Sequence, residues 1–357
     1  MKFESVAYME WAKFRSSAPI NLGQSGVPGL SLRDLPVGLE GCDINGDHAY
    51  GYPPLLEAIA ARAGAHRDNV VPSHGASEAI FLACAALLDK GDRVLVEKPG
   101  YEPFISCAKA VGAEIHRWER RFEKGYGYDP DEFEAAIPDR TKLVLMTNPH
   151  NPSGAFIPRE DVRALAQAAG RRGAMIFIDE IYLDSLDAAR GRTAFGAADN
   201  IFTASSLTKV YGLSGLRCGW IVAPAPLART LRRVVDHLSV LHVFIAEQIA
   251  ARLFPHLEAI KETNRALHES NRKMVAEFIA AEPRLSWIEP PAGILGFPRV
   301  EGPAGGDALA EILKTRYGTS VVPGGFFEDP RHFRIGWGVA ADVLAKGLEN
   351  IRSALRD

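Results

Sequence analysis

The chain has 357 residues and carries 41 Lys and Arg against 44 Asp and Glu, which leaves a formal net charge of −3 at pH 7. This near-neutral balance, without a run of like charge, argues against a nucleic-acid-binding protein. Because 47% of the residues are apolar, the chain can bury a sizeable core. Its length favours one large domain with a smaller companion.

The chain shows no sign of secretion or of membrane insertion. Residues 1–14 mix lysines and glutamates with apolar residues, unlike a signal peptide, and no later stretch is long and apolar enough to span a bilayer. Cys42, Cys84, Cys107 and Cys218 lack the paired spacing of a metal site or a disulfide framework. The sequence therefore predicts a cytoplasmic protein without a metal site or a disulfide.

Helical patterns and short apolar runs alternate through the first two thirds of the chain, after an irregular Gly- and Pro-rich stretch at 23–41. Continuous apolar strands separated by helices indicate a parallel sheet covered on both faces, and such sheets bind ligands at the carboxyl ends of their strands. The predicted helices are 55–63, 77–88, 104–111 and 159–171, and the predicted strands are 93–96, 114–117, 142–146, 174–178, 201–204 and 218–222.

The pattern changes at about residue 226, where a long helical region with apolar spacing near 3.6 residues begins and extends to about 280. The remainder of the chain has the texture of an α+β unit. We expect a large domain over 46–271 and a small domain formed by 1–45 together with 272–357. The predicted C-terminal strands are 295–300, 320–323 and 333–337, and the predicted helices are 308–316 and 343–355.

One lysine stands among small, hydroxylated and apolar residues in the stretch 205–220, SSLTKVYGLSGLRCGW. Burial disfavours the ammonium form of Lys209, and a neutral amine can form a Schiff base with an aldehyde. Ser206 and Arg217 flank it with donors that suit a phosphate dianion. An aldehyde that also carries a phosphate describes pyridoxal 5'-phosphate (PLP). A solvated loop is the alternative, but the apolar neighbours of Lys209 oppose it.

Two candidates for cofactor contacts precede this stretch. The turn at 71–79, VPSHGASEA, runs into a helix whose first N–H groups, at Ala76 and Ser77, could receive a phosphate together with the Ser77 hydroxyl. An ordinary helix cap is the alternative. Tyr101, after the strand at 93–96, could stack on a pyridine ring or only pack in the core.

The turn at 148–154, NPHNPSG, contains two Asn-Pro pairs that hold it rigid, so that the amide of Asn151 can point at a fixed acceptor. Asp179 ends an apolar strand, where a carboxylate is costly without a cationic partner. A protonated pyridine nitrogen would be such a partner and would keep the ring an electron sink. Tyr182 follows three residues later. Capping by Asp179 and core packing by Tyr182 are the alternatives.

Arg334 stands inside an apolar strand, in the stretch FRIGWG at 333–338. A buried guanidinium needs an anion, and its fork of donors matches a carboxylate at two points. Either a substrate or a carboxylate of the protein itself could supply that anion.

Taken together, these motifs resemble those of the class I/II aminotransferases, a large family of fold-type-I PLP enzymes. The family's Ser-x-x-Lys, Gly-Leu and Arg-x-Gly elements stand at 206–219, and its Asn-Pro-x-Asn-Pro-Ser/Thr-Gly turn stands at 148–154. The resemblance covers nearly the whole chain. It implies an α/β fold with a mostly parallel mixed sheet, helices on both faces of that sheet, and a smaller α+β domain.

The resemblance also implies a role for each candidate residue. Lys209 would carry PLP as an internal aldimine and, once freed, act as general base. Arg334, with Asn151 beside it, would bind the α-carboxylate of the substrate. Asp179 would keep the ring nitrogen protonated, and Asn151 and Tyr182 would meet the 3'-oxygen of the ring. The other cofactor contacts would be Tyr101 against the ring and Ala76, Ser77, Ser206 and Arg217 at the phosphate.

The activity that the resemblance implies is transfer of an amino group from an L-amino acid to a 2-oxo acid through pyridoxamine phosphate. The family forms homodimers with sites at the interface, and Tyr50 is the candidate for a contact with the neighbouring subunit's phosphate, although its spacing is off by about one residue. A lyase or a cyclising synthase on the same fold is one alternative. A non-catalytic ligand-sensing module is another. The residues that read the substrate side chain are not identified from the sequence.

Overall fold

The structure is a computed structural model, and it describes residues 3–187 and 190–357. Among these residues no helix is both long and apolar enough to cross a bilayer. The helices are α1 (Ala7–Phe14), α2 (Pro53–Ala63), α3 (Ala76–Leu87), α4 (Glu102–Val111), α5 (Pro130–Ala136), α6 (Arg159–Arg171), α7 (Ala225–Leu238), α8 (Phe244–Leu253), α9 (Leu257–Ala280), α10 (Gly305–Tyr317) and α11 (Ala341–Ala354).

The strands form one large sheet and several small ones. They are β1 (Ile20–Asn21), β2 (Val70–His74), β3 (Arg93–Lys98), β4 (Glu114–Glu119), β5 (Thr141–Thr147), β6 (Met175–Asp179), β7 (Ile201–Ser206), β8 (Cys218–Val222), β9 (Leu285–Ser286), β10 (Leu295–Gly296), β11 (Arg299–Val300), β12 (Thr319–Ser320), β13 (Val322–Pro323) and β14 (Phe333–Gly336).

The large sheet has the strand order β2-β8-β7-β6-β5-β3-β4. Strand β8 pairs antiparallel with β2 and β7, and the other neighbouring strands pair in parallel. This is the mostly parallel mixed sheet that the sequence predicts. The carboxyl ends of β2, β3, β5, β6 and β7 therefore meet at one edge. Because β8 runs in the opposite direction, its first residues reach the same edge.

Helices cover both faces of this sheet, so its central strands are apolar on both sides, as the continuous apolar runs predict. On one face α3, α4 and α7 bury side chains such as Ile80, Phe104 and Leu231 against the strands. On the other face α5 and α6 bury Phe133 and Leu165. Each fully buried side chain of this kind contributes roughly 1.5–3 kcal/mol, and these two layers hold the strand ends in place.

The C-terminal part of the chain forms a second unit with its own core around Trp337 and Leu344. The N-terminal segment joins this unit, because β1 pairs in parallel with β12, Ile20 opposite Thr319. Strand β14 pairs with both β10 and β13. We propose that this unit is the predicted small domain of 1–45 and 272–357, beside a large domain of 46–271.

Several elements differ from the sequence prediction. The residues predicted as the start of a turn at 71 form strand β2, which extends the sheet at its edge. The helical region after 226 is divided into α7, α8 and α9. Val240, with a φ of 61°, stands in the link between α7 and α8, and few residues with a branched side chain adopt that left-handed conformation. Helix α1 was not predicted from the sequence.

Candidate active site

The predicted site residues come together at the carboxyl edge of the large sheet, around a cavity of about 190 Å³. Each follows or ends a strand whose direction brings it to this edge, except two. Arg217 directly precedes the antiparallel strand β8, and the second unit contributes Arg334 from β14. The cavity lining includes the predicted residues Ala76, Ser77, Tyr101, Asn151, Asp179, Tyr182, Lys209, Arg217 and Arg334. Ser206 is the predicted residue that the lining omits.

Lys209 presents its amine to the cavity, where Nζ donates a hydrogen bond to Ser25 Oγ at 2.6 Å. In the described part of the chain no carboxylate lies within ion-pair distance of this amine. Burial lowers the pKa of Lys209, and the positive charge of Arg334 adds to the effect. A lysine in this setting loses its proton more easily than one in water, so it can act as a nucleophile or as a base.

Asp179 lies at the end of β6 and is 3% exposed. Its Oδ1 accepts the backbone N–H of Ile181 at 3.0 Å. Burial raises the pKa of this carboxyl to about 7, although the Ile181 N–H and the positive charge of Lys209 act to lower it. A cationic group in the cavity would lower that pKa and hold Asp179 ionised.

An anion cradle lies where β2 meets α3. No side chain caps α3, so the first N–H groups of the helix, at Ala76 and Ser77, are available at its positive end. Gly75 precedes them with a φ of +79°, and a Cβ there would lie 2.7 Å from Arg217 Nη2. Glycine therefore allows Arg217 to lie against the turn, where its Nη2 donates to the carbonyl of His74 at 2.9 Å.

Ser206 is not among the residues that line the cavity, and its predicted contact with a phosphate stays a prediction. Its side chain is buried, and its Oγ accepts the backbone N–H of Thr208 at 3.2 Å. The hydroxyl-bearing residue that lines the cavity from this turn is Thr208.

Asn151 and Arg334 are in direct contact. The Asn151 Oδ1 accepts a hydrogen bond from Arg334 Nη1 at 3.0 Å, which leaves the amide N–H groups of Asn151 available to another acceptor. The backbone N–H of Asn151 donates to Thr147 Oγ1 at 2.8 Å and so ties the turn to the end of β5. The two aromatic candidates also lie here: Tyr182 donates to the carbonyl of Ser25 at 2.9 Å, and Tyr101 lines the cavity.

Arg334 is 1% exposed, and among the described residues no Asp or Glu lies within ion-pair distance of it. Its Nη2 donates to the hydroxyl of Tyr8 at 2.9 Å, and its Nε has no hydrogen-bond partner in the described part of the chain. A buried guanidinium with an open donor is costly until an anion occupies it. The sequence allowed either a protein carboxylate or a substrate carboxylate as the anion for Arg334. Because the described residues supply no such protein carboxylate, the substrate carboxylate is the remaining partner.

Among the lining residues that were not identified from the sequence, two contact Arg334 and Lys209. Tyr8 lies on α1 and Ser25 lies in the segment after β1, and both line the cavity. Neither belongs to a contiguous motif. They reach the site because the pairing of β1 with β12 carries the N-terminal segment across it, and no local pattern in the sequence shows that pairing.

Tyr50 lies apart from this cavity. Its side chain is 45% exposed, its hydroxyl donates to Asp236 Oδ2 at 3.3 Å, and its ring lies 5.9 Å from the guanidinium of Arg232. Its predicted contact with a neighbouring subunit stays a prediction.

The donor set of the cavity fits PLP. The amine of Lys209 is placed to receive an aldehyde, and the uncapped end of α3 with Arg217 is placed to receive a phosphate. The buried carboxylate of Asp179 matches a protonated ring nitrogen, which would supply the cation that it lacks. The open Nε of Arg334 remains for an α-carboxylate.

Comparisons with known proteins agree with this chemistry. The family model described as "Aminotransferase class I and II" matches residues 45–351. Capreomycidine synthase of Streptomyces vinaceus is 32% identical over 348 residues, which cover 97% of this chain and 86% of that protein.

Two solved structures resemble the whole fold. A PLP-dependent aminotransferase from Streptococcus suis has a TM-score of 0.92 and 26% identity, over 100% of this chain and 98% of that one. The PLP-dependent cyclase OrfR has a TM-score of 0.89 and 26% identity, over 100% and 98% of the two chains. The predicted fold type is therefore confirmed.

Proposed function

The chain belongs to the class I and II aminotransferase family of PLP-dependent, fold-type-I enzymes, and on that premise we propose that it transfers the amino group of an L-amino acid to a 2-oxo acid. The observation that carries this proposal is the placement of the buried amine of Lys209 in one cavity with Asp179 and with the open guanidinium of Arg334. These three groups suit a proton transfer at the Cα of a bound amino acid.

Each residue has a distinct task in this proposal. When bound, PLP supplies an electron sink that stabilises negative charge on the carbon from which a proton leaves. Asp179 keeps a proton on the ring nitrogen. Arg334 binds the α-carboxylate and so fixes the amino acid with its Cα near Lys209. The Nζ of Lys209 accepts the Cα proton and can deliver it again as an ammonium group.

The phosphate contacts hold the cofactor in register with Lys209. The uncapped end of α3, the Ser77 hydroxyl and Arg217 offer fixed donors to a dianion. Asn151 directs free N–H groups into the same cavity. These residues orient the cofactor and take no part in moving protons.

The decisive experiment adds an amino acid alone to the holoenzyme, with no 2-oxo acid present. An aminotransferase converts its bound PLP to one equivalent of pyridoxamine phosphate and then stops until a 2-oxo acid is added. The cofactor is identified by absorbance and chromatography, and Lys209→Ala is the control that abolishes the conversion. Continuous consumption of the amino acid with the cofactor left as PLP would overturn the proposal.

That contrary result would favour a second candidate, a cyclising synthase or a lyase on the same fold. The similarity to capreomycidine synthase over 97% of the chain and to the cyclase OrfR over the whole chain supports this candidate. In this proposal, transamination and the alternative cyclisation or lyase reaction use the same cofactor contacts and the same base at Cα. They differ in whether the nitrogen stays on the cofactor, and the experiment above measures that difference.

A further inference from the structure

Ser25 holds the amine of Lys209 in a defined position. Its Oγ accepts from Nζ at 2.6 Å, and its carbonyl accepts from the hydroxyl of Tyr182 at 2.9 Å. Gly26 and Val27 lie against the backbone of Lys209. The N–H of Val27 donates to the carbonyl of Lys209 at 2.9 Å. A Cβ on Gly26 would lie 3.3 Å from that same carbonyl oxygen. The close approach of the two backbones thus sets the position of the Ser25 hydroxyl.

Tyr8 holds the guanidinium of Arg334 in the same way. It is 6% exposed, and its hydroxyl accepts from Arg334 Nη2 at 2.9 Å, opposite the contact of Nη1 with Asn151. Helix α1 is fixed by Glu102 at the start of α4, whose carboxylate accepts the N–H groups of Ala7 and Tyr8 at 3.1 and 2.6 Å.

We propose that Ser25 and Tyr8 are positioning residues with separate tasks, Ser25 orienting the Lys209 amine for proton transfer and Tyr8 orienting the Arg334 guanidinium for the substrate carboxylate. This inference rests on the proposed function, since it requires an amino acid bound through its α-carboxylate. It assigns a role in the active site to the N-terminal segment.

The physical reason for the Ser25 assignment is the flexibility of lysine. Four rotatable carbons carry the amine, and a base must lie within hydrogen-bond reach of the proton that it takes. When Lys209 donates one N–H to Ser25, its lone pair is confined to the remaining directions. The contact in this structure is made by the free amine, which is the form of Lys209 that acts as the base.

The reason for the Tyr8 assignment is the geometry of the guanidinium fork. Bidentate binding of a carboxylate requires the plane of the guanidinium to be fixed. Tyr8 and Asn151 each accept one of the five N–H donors of Arg334, so further donors remain for a carboxylate, among them Nε, which has no hydrogen-bond partner among the described residues. Without Tyr8, the guanidinium would have a single side-chain contact and could rotate away from the productive plane.

The test compares Ser25→Ala, Ser25→Thr and Tyr8→Phe with the wild-type holoenzyme. The substrate is the amino acid that the wild type converts fastest in a panel of the common twenty. Its α-methyl analogue, which has no Cα proton, serves as an inert probe whose Kd is measured by calorimetry. Ser16→Ala is the matched control, because Ser16 lies on the same segment and its hydroxyl donates to the carbonyl of Ala12 at 2.7 Å.

We expect Ser25→Ala to lower kcat by about 10- to 100-fold, because misplacing a reacting group by about 1 Å can cost that much. Its Kd for the α-methyl probe should stay within about twofold, and Ser25→Thr, which keeps a hydroxyl, should restore most of kcat. If the Kd of Ser25→Ala for the probe rises by as much as its kcat falls, the assignment of Ser25 is overturned. The same holds if Ser25→Thr does not restore kcat.

Tyr8→Phe keeps the ring and removes the hydroxyl. We expect its KM and its Kd for the probe to rise by about 10- to 100-fold, within the range for loss of a hydrogen bond to a charged group, with kcat within about threefold of the wild type. Unchanged KM and Kd would overturn the assignment of Tyr8. A wild type that consumes this amino acid while its cofactor stays PLP would instead contradict the proposed function and leave the Kd comparison intact.

Discussion

At the scale of single residues, Asp179 offers the sharpest prediction. Its buried carboxyl has a pKa of about 7 in the protein alone, so its ionisation depends on a cationic partner in the cavity. Asp179→Asn keeps the shape and removes the charge that holds a proton on the ring nitrogen. We expect kcat to fall by at least about 100-fold, the scale of losing one preorganised electrostatic contact. Stopped-flow measurement of a single turnover checks this.

Glu180 provides the matched control for Asp179. It is equally buried, but its carboxylate accepts from the Thr193 hydroxyl at 2.6 Å and from the Ala194 N–H at 2.7 Å, away from the cavity. Glu180→Gln should therefore change the free energy of unfolding more than it changes kcat. If the two variants lose kcat equally, Asp179 has no specific role at the cofactor.

Single residues also show how much of the candidate site could be predicted from the sequence. Asn151, Asp179, Lys209 and Arg217 stand in contiguous motifs, and the parallel strands before them lead to one edge, so their proximity could be predicted. Ser25 could not be predicted in this way, because its contact with Lys209 joins residues 184 positions apart. The motif also does not specify the conformation of its turn, in which Thr208 lines the cavity beside Lys209.

At the scale of elements, the first turn of α3 leads to a prediction about pH. The carboxylate of Glu78 accepts from both the backbone N–H and the ring Nδ1 of His74, and His242 Nε2 lies 3.8 Å away. Although burial opposes it, the contacts with His242 and His74 hold the pKa of Glu78 well below its ordinary value of 4.5. The contact with Glu78 raises the pKa of His74 above 6.5.

Both shifts stabilise the folded state, but over different ranges of pH. The lowered pKa of Glu78 contributes stability above about pH 4.5, and this is lost as the pH falls. The raised pKa of His74 contributes stability below about pH 6.5, and this is lost as the pH rises through its raised value. We expect Glu78→Gln to lower the free energy of unfolding by about 1–2 kcal/mol between about pH 4.5 and about pH 6.5, and by less at lower or higher pH.

Urea unfolding of the wild type and of Glu78→Gln at pH 4, 5.5 and 8.5 measures this difference. The control is Glu57→Gln on α2, because the Glu57 carboxylate is exposed and lies 3.8 Å from Arg67, a pairing that contributes little. A difference for Glu78→Gln that does not vary with pH would show that the ion pair with His74 does not contribute.

Elements themselves were predictable where the pattern is local. Helix α6 and strand β8 begin and end at the predicted residues, because amphipathic spacing and a bounded apolar run define them. Helix α1 is short, and Glu102 caps it from 95 positions away, so no local signal could show it. The buried pair of Glu97 and Arg120, 2.9 Å apart, is likewise visible only in the fold, where Glu97 also accepts from Thr147 at the end of β5.

At the scale of the whole molecule, an apolar surface supports the proposed homodimer. Leu238, Val240, Leu241 and Val243, in and beside the link between α7 and α8, are 46–62% exposed. The segment that carries Tyr50 lies next to them, since His48 Nε2 lies 3.1 Å from the carbonyl of His242. Burying these apolar side chains against a second copy of the chain, next to Tyr50, is more favourable than leaving them exposed to water.

Val240→Asp places a charge in the middle of this surface, and Tyr50→Phe removes only a hydroxyl. If two copies pair here, burying an unpaired aspartate is costly, so we expect Val240→Asp to shift the wild-type dimer to a monomer in analytical ultracentrifugation. If Tyr50 reaches the partner's phosphate site, the monomer should also bind PLP more weakly, and Tyr50→Phe should weaken PLP binding by about 3- to 10-fold while remaining dimeric. A dimer that survives Val240→Asp would place the interface elsewhere, and unchanged PLP affinity in Tyr50→Phe would remove Tyr50 from the shared site.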